Sequence, residues 1–326
     1  MGRTVLITGV SRYLGGQMAA LLAEDPSFDV IGVDVVAPTH PIPGITFVRA
    51  DIRNPVIAKI MGEAAVDTVV HLGVIATPKQ AGGRTTMKDI NVIGTMQLLS
   101  ACQRTPALRH LVVKSTAAIY GSGPKDPALF TEDMEPKHRP SSGWAKDSAE
   151  VESYVRGFGR RRPDVGVTTL RFAHIVGPQM RTGHTAYFEL PVVPTVLGFD
   201  PRLQFVHEAD ALGALRASVV TSNAGTFNIA GDGVLFLSQA VRAMGKTSVA
   251  VPAPLFPLAG RALSPQGYAD FSPGAVRYLT YGRALDTSAA RERLGFVPEF
   301  STAGAFASFA RSHGAVAART EVGADG

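Results

Sequence analysis

The residues best placed to do chemistry stand near the amino terminus. An apolar run, Arg3-Thr-Val-Leu-Ile-Thr8, leads into Thr8-Gly9-Val10-Ser11-Arg12-Tyr13-Leu14-Gly15 and then into an amphipathic pattern. Glycines between a strand and a helix bare the first helix amides, which attract phosphate together with the helix dipole. Gly9 permits the tight turn and Gly15 lets helix and strand approach, while Tyr13 and Leu14 complete the loop. Neither Arg12 nor Tyr13 supplies the middle glycine that normally lets a pyrophosphate come close. An ordinary strand-to-helix turn uses the same glycines, so this loop alone does not decide between binding and structure.

Asp34 ends the second apolar run, roughly 20 residues beyond the glycines, where an acid accepts hydrogen bonds from an adenosine ribose. A carboxylate there repels a 2′-phosphate. Arg12 acts in the other direction, because a guanidinium pairs with phosphate bidentately. The balance predicts NAD, with NADP as the alternative, and a simple turn residue is the structural reading of Asp34.

The elements that would carry these residues follow from the apolar spacing. Val5–Thr8, Val30–Asp34, Phe47–Arg49, Thr68–Leu72, Leu111–Ser115 and Thr168–Phe172 read as strands. Leu14–Glu24, Val56–Gly62, Asn91–Arg104 and Ser142–Arg161 repeat apolar residues near a 3.6-residue period and read as helices. Strands that are apolar throughout, alternating with helices, predict an α/β fold: a Rossmann-type doubly wound parallel sheet covered on both faces. Prolines 178, 191, 194 and 201 change the texture after about residue 175. The expected organisation is a dinucleotide-binding core over 1–175, then a smaller C-terminal substrate lobe over 176–313. Segments such as Val219–Ala230 return from that lobe to the core, and 314–326 form a disordered tail without apolar periodicity.

Composition narrows the function classes. The 326 residues are 45% hydrophobic and 18% charged, enough to bury a full core. The net charge is +5, but the basic residues are scattered except for Arg160-Arg161-Arg162 at a predicted helix end, where the helix dipole favours cations. No basic face with interleaved aromatics points to nucleic acid. Cys102, the single cysteine, lies in an apolar-periodic stretch and reads as a packed side chain. The chain enters a strand at once, without a signal-peptide pattern, so cytoplasmic residence is expected. Val249–Leu263 is apolar but carries three prolines and an arginine. It reads as a buried or substrate-facing segment rather than a membrane span. No metal is expected.

Several further motifs, in their order along nearly the whole chain, resemble the extended short-chain dehydrogenase/reductases, the NAD-dependent epimerase/dehydratase group. They are Arg49-Ala-Asp51-Ile52-Arg53, His71-Leu72-Gly73-Val74, Asn91-Val-Ile-Gly94-Thr95 and Lys114-Ser115-Thr116-Ala-Ala-Ile-Tyr120-Gly121. Leu170-Arg171-Phe172-Ala173-His174-Ile175-Val176-Gly177-Pro178, Phe205-Val206-His207-Glu208-Ala209-Asp210 and Phe227-Asn228-Ile229-Ala230-Gly231 follow. Asp286–Arg291 with Leu294-Gly295-Phe296-Val-Pro298 completes the series. The resemblance implies that Asp51 and Ile52 meet the adenine, that Leu72, Gly73 and Val74 line the cofactor, and that Thr116 hydrogen-bonds the reacting oxygen. It also implies a small-molecule substrate, and a homodimer built from helices near Asn91–Arg104 and Ser142–Arg161.

Two positions depart from that pattern. The family places a tyrosine four residues before a lysine on one helix, so that both face the nicotinamide. Here the lysine is Lys146 and Ser142 stands in the tyrosine position. The lysine's implied role is to hold the nicotinamide ribose and lower the phenol pKa from near 10. A serine is far less acidic. His174 stands where the family usually has an asparagine, and an imidazole titrating near 6.5 is the best replacement acid/base, with Tyr120 a weaker one.

Each of these residues also has a structural reading. Lys146 alone would be a solvated helix lysine, and Thr116 a hydroxyl bonded to its own backbone. His207 reads as a hydrogen-bonded structural histidine, Tyr13 as a cap on the cofactor loop, and Trp144 as a filler near the nicotinamide or a partner helix. The expected function is hydride transfer at a substrate carbon, for which the resemblance implies a nucleotide-sugar class of substrate. The alternative is a nucleotide-binding sensor or scaffold that has lost turnover.

Overall fold

The computed structural model describes residues 2–76, 81–137, 139–263 and 269–313. The segment 314–326, read above as a disordered tail, lies outside them. The first six strands are β1 (Arg3–Thr8), β2 (Phe28–Asp34), β3 (Ile45–Arg49), β4 (Thr68–His71), β5 (His110–Thr116) and β6 (Gly166–Phe172). Later strands are β7 (His174–Val176), β8 (Val192–Val196), β9 (Arg202–Leu203), β10 (Phe205–His207), β11 (Gly225–Ile229), β12 (Leu235–Phe236) and β13 (Thr247–Val251). Seven of them form one parallel sheet in the order β11-β6-β5-β4-β1-β2-β3. The order reverses between β1 and β4, and that switch point opens a crevice at the carboxyl ends of the strands.

Helices cover both faces of this sheet, which is why its strands are apolar on successive residues rather than alternate ones. On one face pack α1 (Tyr13–Ala23), α7 (Glu208–Thr221) and α11 (Ser288–Leu294), joined to Val5, Ile7, Val112 and Leu170. On the other lie α2 (Val56–Glu63), α4 (Gly94–Gln103) and α5 (Gly143–Arg161), against Leu6, Val69, Leu111 and Val113. A short α3 (Arg84–Lys88) runs into α4 through one wider turn, Asp89–Ile93. Arg162, just past α5, donates to the carbonyls of Cys102 and Gln103 at the end of α4, so that basic run serves helix termini. Cys102 is fully buried and its thiol is pushed up to about 12 by burial, which makes it a packing residue.

The second half of the chain builds a smaller apolar cluster from α6 (Gly183–Phe188), β8, α8 (Leu237–Ala243), α10 (Pro273–Tyr281) and α12 (Thr302–His313). It also returns to the sheet: β11 pairs with β6 inside the stretch from which a returning strand was expected, whose first residues belong instead to α7. The apolar stretch Val249–Leu263 differs from its sequence reading. It holds the end of β13 and α9 (Phe256–Leu263), and while Phe256 is buried, Val249, Leu255 and Leu258 are exposed. Its single buried ring anchors an otherwise solvent-facing edge. No helix among the described residues is long and apolar enough to cross a membrane.

Candidate functional site

The glycine loop closes as its composition requires. Gly9 has φ of +83°, and a Cβ there would stand 3.1 Å from the Gly73 Cα. A Cβ on Gly15 would lie 2.1 Å from the Gly9 carbonyl oxygen, so only glycine lets α1 meet β1 at this distance. Arg12 occupies the middle position with φ −101° and ψ 156°, a backbone open to any residue. A glycine at this position would therefore serve room and not conformation. Burial lowers the Arg12 pKa, and Asp34 opposes that shift. The first turn of α1 has no acid to repel an anion.

Asp34, at the end of β2, holds this loop: its carboxylate accepts from the Ser11 N–H at 3.0 Å and the Val35 N–H at 2.8 Å. Each oxygen keeps a lone pair for a ribose hydroxyl. Tyr13 donates to Glu208 at 3.0 Å, and buried Glu208 also accepts from the backbone of Gln179 and Met180. This ties the loop to α7 and to the chain after β7, and raises the phenol to about 12, first by burial and then by Glu208. Leu14 and Leu72 are buried in the core, the Gly73 N–H donates to Thr8, and Val74 is half-buried beyond it. Asp51 is clasped by the Nε and Nη2 of Arg53, while Ile52 packs beneath the sheet. His71 links Thr8 and Thr95 through its two ring nitrogens and is held neutral by burial, its pKa pushed down to about 4.

Beside this crevice, at the carboxyl ends of β5 and β6, lies a cavity of about 490 Å³. Thr116, Ser142 and His174 all line it. The Thr116 hydroxyl accepts from the Ala118 N–H at 3.1 Å, which leaves its own proton for a second partner. Both sequence readings of this hydroxyl therefore describe the same side chain. Ser142 is the residue before α5 with φ −154° and ψ 174°, yet its hydroxyl caps no helix amide and is open to the cavity. Lys146, one turn on, is exposed and does not line the cavity. Trp144 lines this cavity and a second one of about 260 Å³, which also shares Ser142, His174 and His184.

Sequence reasoning passed over three groups here. Lys114 lines the larger cavity from the same strand face as Thr116, two residues on. Burial and then Arg12 push its amine down to about 8. A lysine directly after the apolar run Leu111–Val113 was the available signal. Arg84, on α3, pairs bidentately with Asp147 at 2.7 Å and donates to the Gly143 carbonyl, which fixes the first turn of α5 beneath Ser142. Asp147 is fully buried.

The third group surrounds His174. Its ring stacks on His184 with centroids 3.5 Å apart and planes 6° from parallel, and Tyr278 leans on both rings at 4.8 and 5.0 Å. The Nε2 atoms of both histidines and the Tyr278 hydroxyl are buried without a hydrogen-bond partner. Burial, then His184 and Arg283, hold the His174 pKa well below 6.5, and burial followed by Arg283 takes His184 to about 3. The expected near-neutral titration of His174 gives way to a permanently neutral ring at physiological pH. Tyr120 lies elsewhere: its hydroxyl donates to Asn228 and accepts from Arg171, stacked against Phe130, away from both cavities. That closed bonding corrects its reading as a reserve acid. His207 bonds Ser308 and the Ala209 N–H, a structural histidine at the head of α7.

This arrangement, a seven-stranded parallel sheet with a phosphate-type loop at its switch point and a cavity beside it, defines a Rossmann-fold nucleotide-binding protein. The chain belongs to the NAD dependent epimerase/dehydratase family, whose model matches residues 5–196. An uncharacterized protein of Mycobacterium tuberculosis is 44% identical over 317 residues, covering 96% of this chain and 84% of its own. The human short-chain dehydrogenase/reductase family 42E member 1 is 28% identical, over 63% of this chain and 55% of its own. Among solved structures, a UDP-glucose 4-epimerase of Thermotoga maritima superposes with a TM-score of 0.72 at 19% identity, covering 95% of this chain and 98% of that one. A dTDP-glucose 4,6-dehydratase of Bacillus anthracis superposes at 0.71 and 17%, covering 95% and 96%.

Proposed function

We propose that this chain is an NAD-dependent oxidoreductase of the epimerase/dehydratase type, acting on a carbinol carbon of a nucleotide-sugar-like substrate. The observation that carries the reading is the cavity lined by Thr116, Ser142, Lys114 and His174, placed at the carboxyl ends of β5 and β6 beside the glycine loop. The close approaches at Gly9, Gly15 and Gly73, and the acid-free start of α1, fit a dinucleotide. Gly9, Arg12, Tyr13, Leu14 and Gly15 would frame its pyrophosphate, Asp34 its adenosine ribose, Asp51 and Ile52 its adenine. Leu72, Gly73 and Val74 would line its middle, and Lys146 its second ribose. NAD bound there supplies a hydride acceptor.

The chain's own part is to orient the substrate oxygen and take its proton. Thr116 and Ser142 present hydroxyls to that oxygen. Ser142 cannot serve as the base, because a serine hydroxyl is too weakly acidic to cycle at neutral pH. Lys114 can, since an amine brought to about 8 lies near the working pH, where a general base is most effective. His174, held neutral, hydrogen-bonds the substrate instead. The protein acts in the cytoplasm as a homodimer, with exposed Ile93 and Met96 by α4 available to the interface.

Ser142 also favours a second reading, a nucleotide-binding sensor without turnover. The test is calorimetry with NAD and NADP, then a panel of nucleotide sugars followed by the absorbance of reduced nicotinamide. NAD binding above NADP with hydride transfer, abolished in Lys114→Met, supports the enzyme. NAD binding with no transfer to any substrate supports the sensor, and no dinucleotide binding overturns both.

A further inference from the structure

A group of buried polar atoms with no partner in the protein marks a place where a ligand completes the bonding, because buried polar atoms in folded proteins are nearly always paired. Three such side chains and one arginine converge between the two cavities: His174 on β7, His184 on α6, Tyr278 on α10 and Arg283 in the loop after α10. Three contribute the unpaired Nε2, Nε2 and hydroxyl atoms. The fourth contributes charge. Arg283 lines the smaller cavity, with its Cζ 5.0 Å from the Tyr278 ring centroid. Its Nη1 donates to the Gly121 carbonyl at 2.7 Å and reaches the Ser122 hydroxyl at 3.4 Å, both neutral acceptors. Among the described residues no carboxylate stands within ion-pair distance of it, and burial takes its pKa to about 10, with Tyr278 and Asp126 only partly opposing.

We propose that His174, His184, Tyr278 and Arg283 form a cradle for a carboxylate on the substrate, so that the substrate is an acidic sugar derivative rather than a neutral one. This rests on the oxidoreductase reading and narrows it. A neutral hydroxyl would satisfy the imidazoles and the phenol but would leave the guanidinium without a direct ion-pair partner. A carboxylate does both, since its two coplanar oxygens match the free edge of a guanidinium and retain lone pairs for the imidazole and phenol donors. The cradle carries one positive charge, a phenol donor and two neutral imidazoles that donate to a carboxylate from the tautomer protonated at Nε2, which suits a monoanion. Arg277 also lines the smaller cavity, its Nε donating to the neutral Ser122 carbonyl, while Arg139 there is paired with Glu135 and Asp270 is the acid in the lining.

The fluorescence of Trp144 tests this directly, because it is the only tryptophan in the chain and lines both cavities. The full chain is titrated with UDP-glucuronic acid, UDP-glucose and inorganic phosphate, with NAD present. UDP-glucuronic acid should bind at least tenfold more tightly than UDP-glucose, and Arg283→Gln should erase that preference by weakening the uronate far more than the neutral sugar. His184→Gln and Tyr278→Phe, which keep the charge, should each reduce the preference severalfold and remain informative if Arg283→Gln does not fold. Equal binding of the acidic and neutral sugars, or a preference that survives in His184→Gln and Tyr278→Phe alike, overturns the cradle. Stronger protection by inorganic phosphate than by the uronate reassigns it to a phosphate. If NAD fails to bind while the Arg283-dependent preference for the uronate persists, the oxidoreductase reading falls and the cradle stands.

Discussion

Two buried polar clusters flank the ends of β5 and β6, and they differ in whether the protein completes them. In the first, buried Glu152 accepts from Ser115 at 2.6 Å and from Arg171 at 2.8 and 3.1 Å. Arg171 donates onward to Tyr120 and to the Glu132 carbonyl, Tyr120 to Asn228, and Asn228 to the Phe130 carbonyl. Every charge meets its opposite and the chain of donors ends on backbone. In the second, His174, His184 and Tyr278 each leave a buried polar atom unpaired, and Arg283 has only neutral acceptors. The closed cluster locks α5 to the sheet. The open one holds its shape by ring stacking and keeps its polar atoms for something that enters the cavity. Burial alone therefore does not separate these two clusters; completeness of bonding does.

The contrast can be broken at several points. The largest effect should come from acid, because the open cluster and two further sites hold imidazoles neutral only in the folded state. His71 and His110 have folded pKa values near 4 and His184 near 3, against 6.5 when unfolded. Between those values the unfolded chain binds more protons. Stability should then be fully present above pH 6.5 and fall as pH drops toward 4, by several kcal/mol in total, on the order of 2 to 3 for each fully buried ring. Denaturant titrations across that range check it, and a flat profile from pH 7 to 4 would contradict the buried neutral rings.

Next in size is the closed cluster. Arg171→Met strands Glu152 beneath the sheet, and removing one partner of a buried pair typically costs about 3–5 kcal/mol. Urea unfolding should show that loss, whereas a change below about 1 kcal/mol would mean that Arg156, the second cation on Glu152 at 3.4 Å, suffices. Smaller again is Lys146→Met, which should weaken NAD binding by roughly tenfold or more, in line with one charge-assisted hydrogen bond. Unchanged calorimetric affinity in a folded variant would leave this exposed lysine in solvent. The smallest change in stability belongs to the open cluster: His184→Phe keeps the stack and removes an unpaired Nε2, so the melting point should hold steady or rise slightly, within about 1 kcal/mol. A marked loss would show that His184 already has a partner.

Much of this fold was legible because a doubly wound sheet writes itself as continuous apolar runs separated by helical periods. The six runs from Val5–Thr8 to Thr168–Phe172 fall within or across β1 to β6, and the four periodic stretches fall on α1, α2, α4 and α5. The glycine loop was equally legible, since local backbone geometry dictates Gly9 and Gly15. The second half was less so. Its strands β9 and β12 are two residues long, too short for any period to show, and Val249–Leu263 reads as interior although most of it faces solvent.

Local pattern and chemistry thus set the sheet, its covering helices, the glycine turn, and the absence of a tyrosine four residues before Lys146. Only the tertiary structure decided that Lys114 opens onto the same cavity as Thr116, that Tyr120 is consumed by Arg171 and Asn228, and that His174, His184, Tyr278 and Arg283 meet. Those four residues span more than a hundred positions and come from three elements and the loop after α10. No periodicity links them, because what joins them is the packing of α6 and α10 beside β7, and bonding left incomplete becomes visible only once every neighbour is in place.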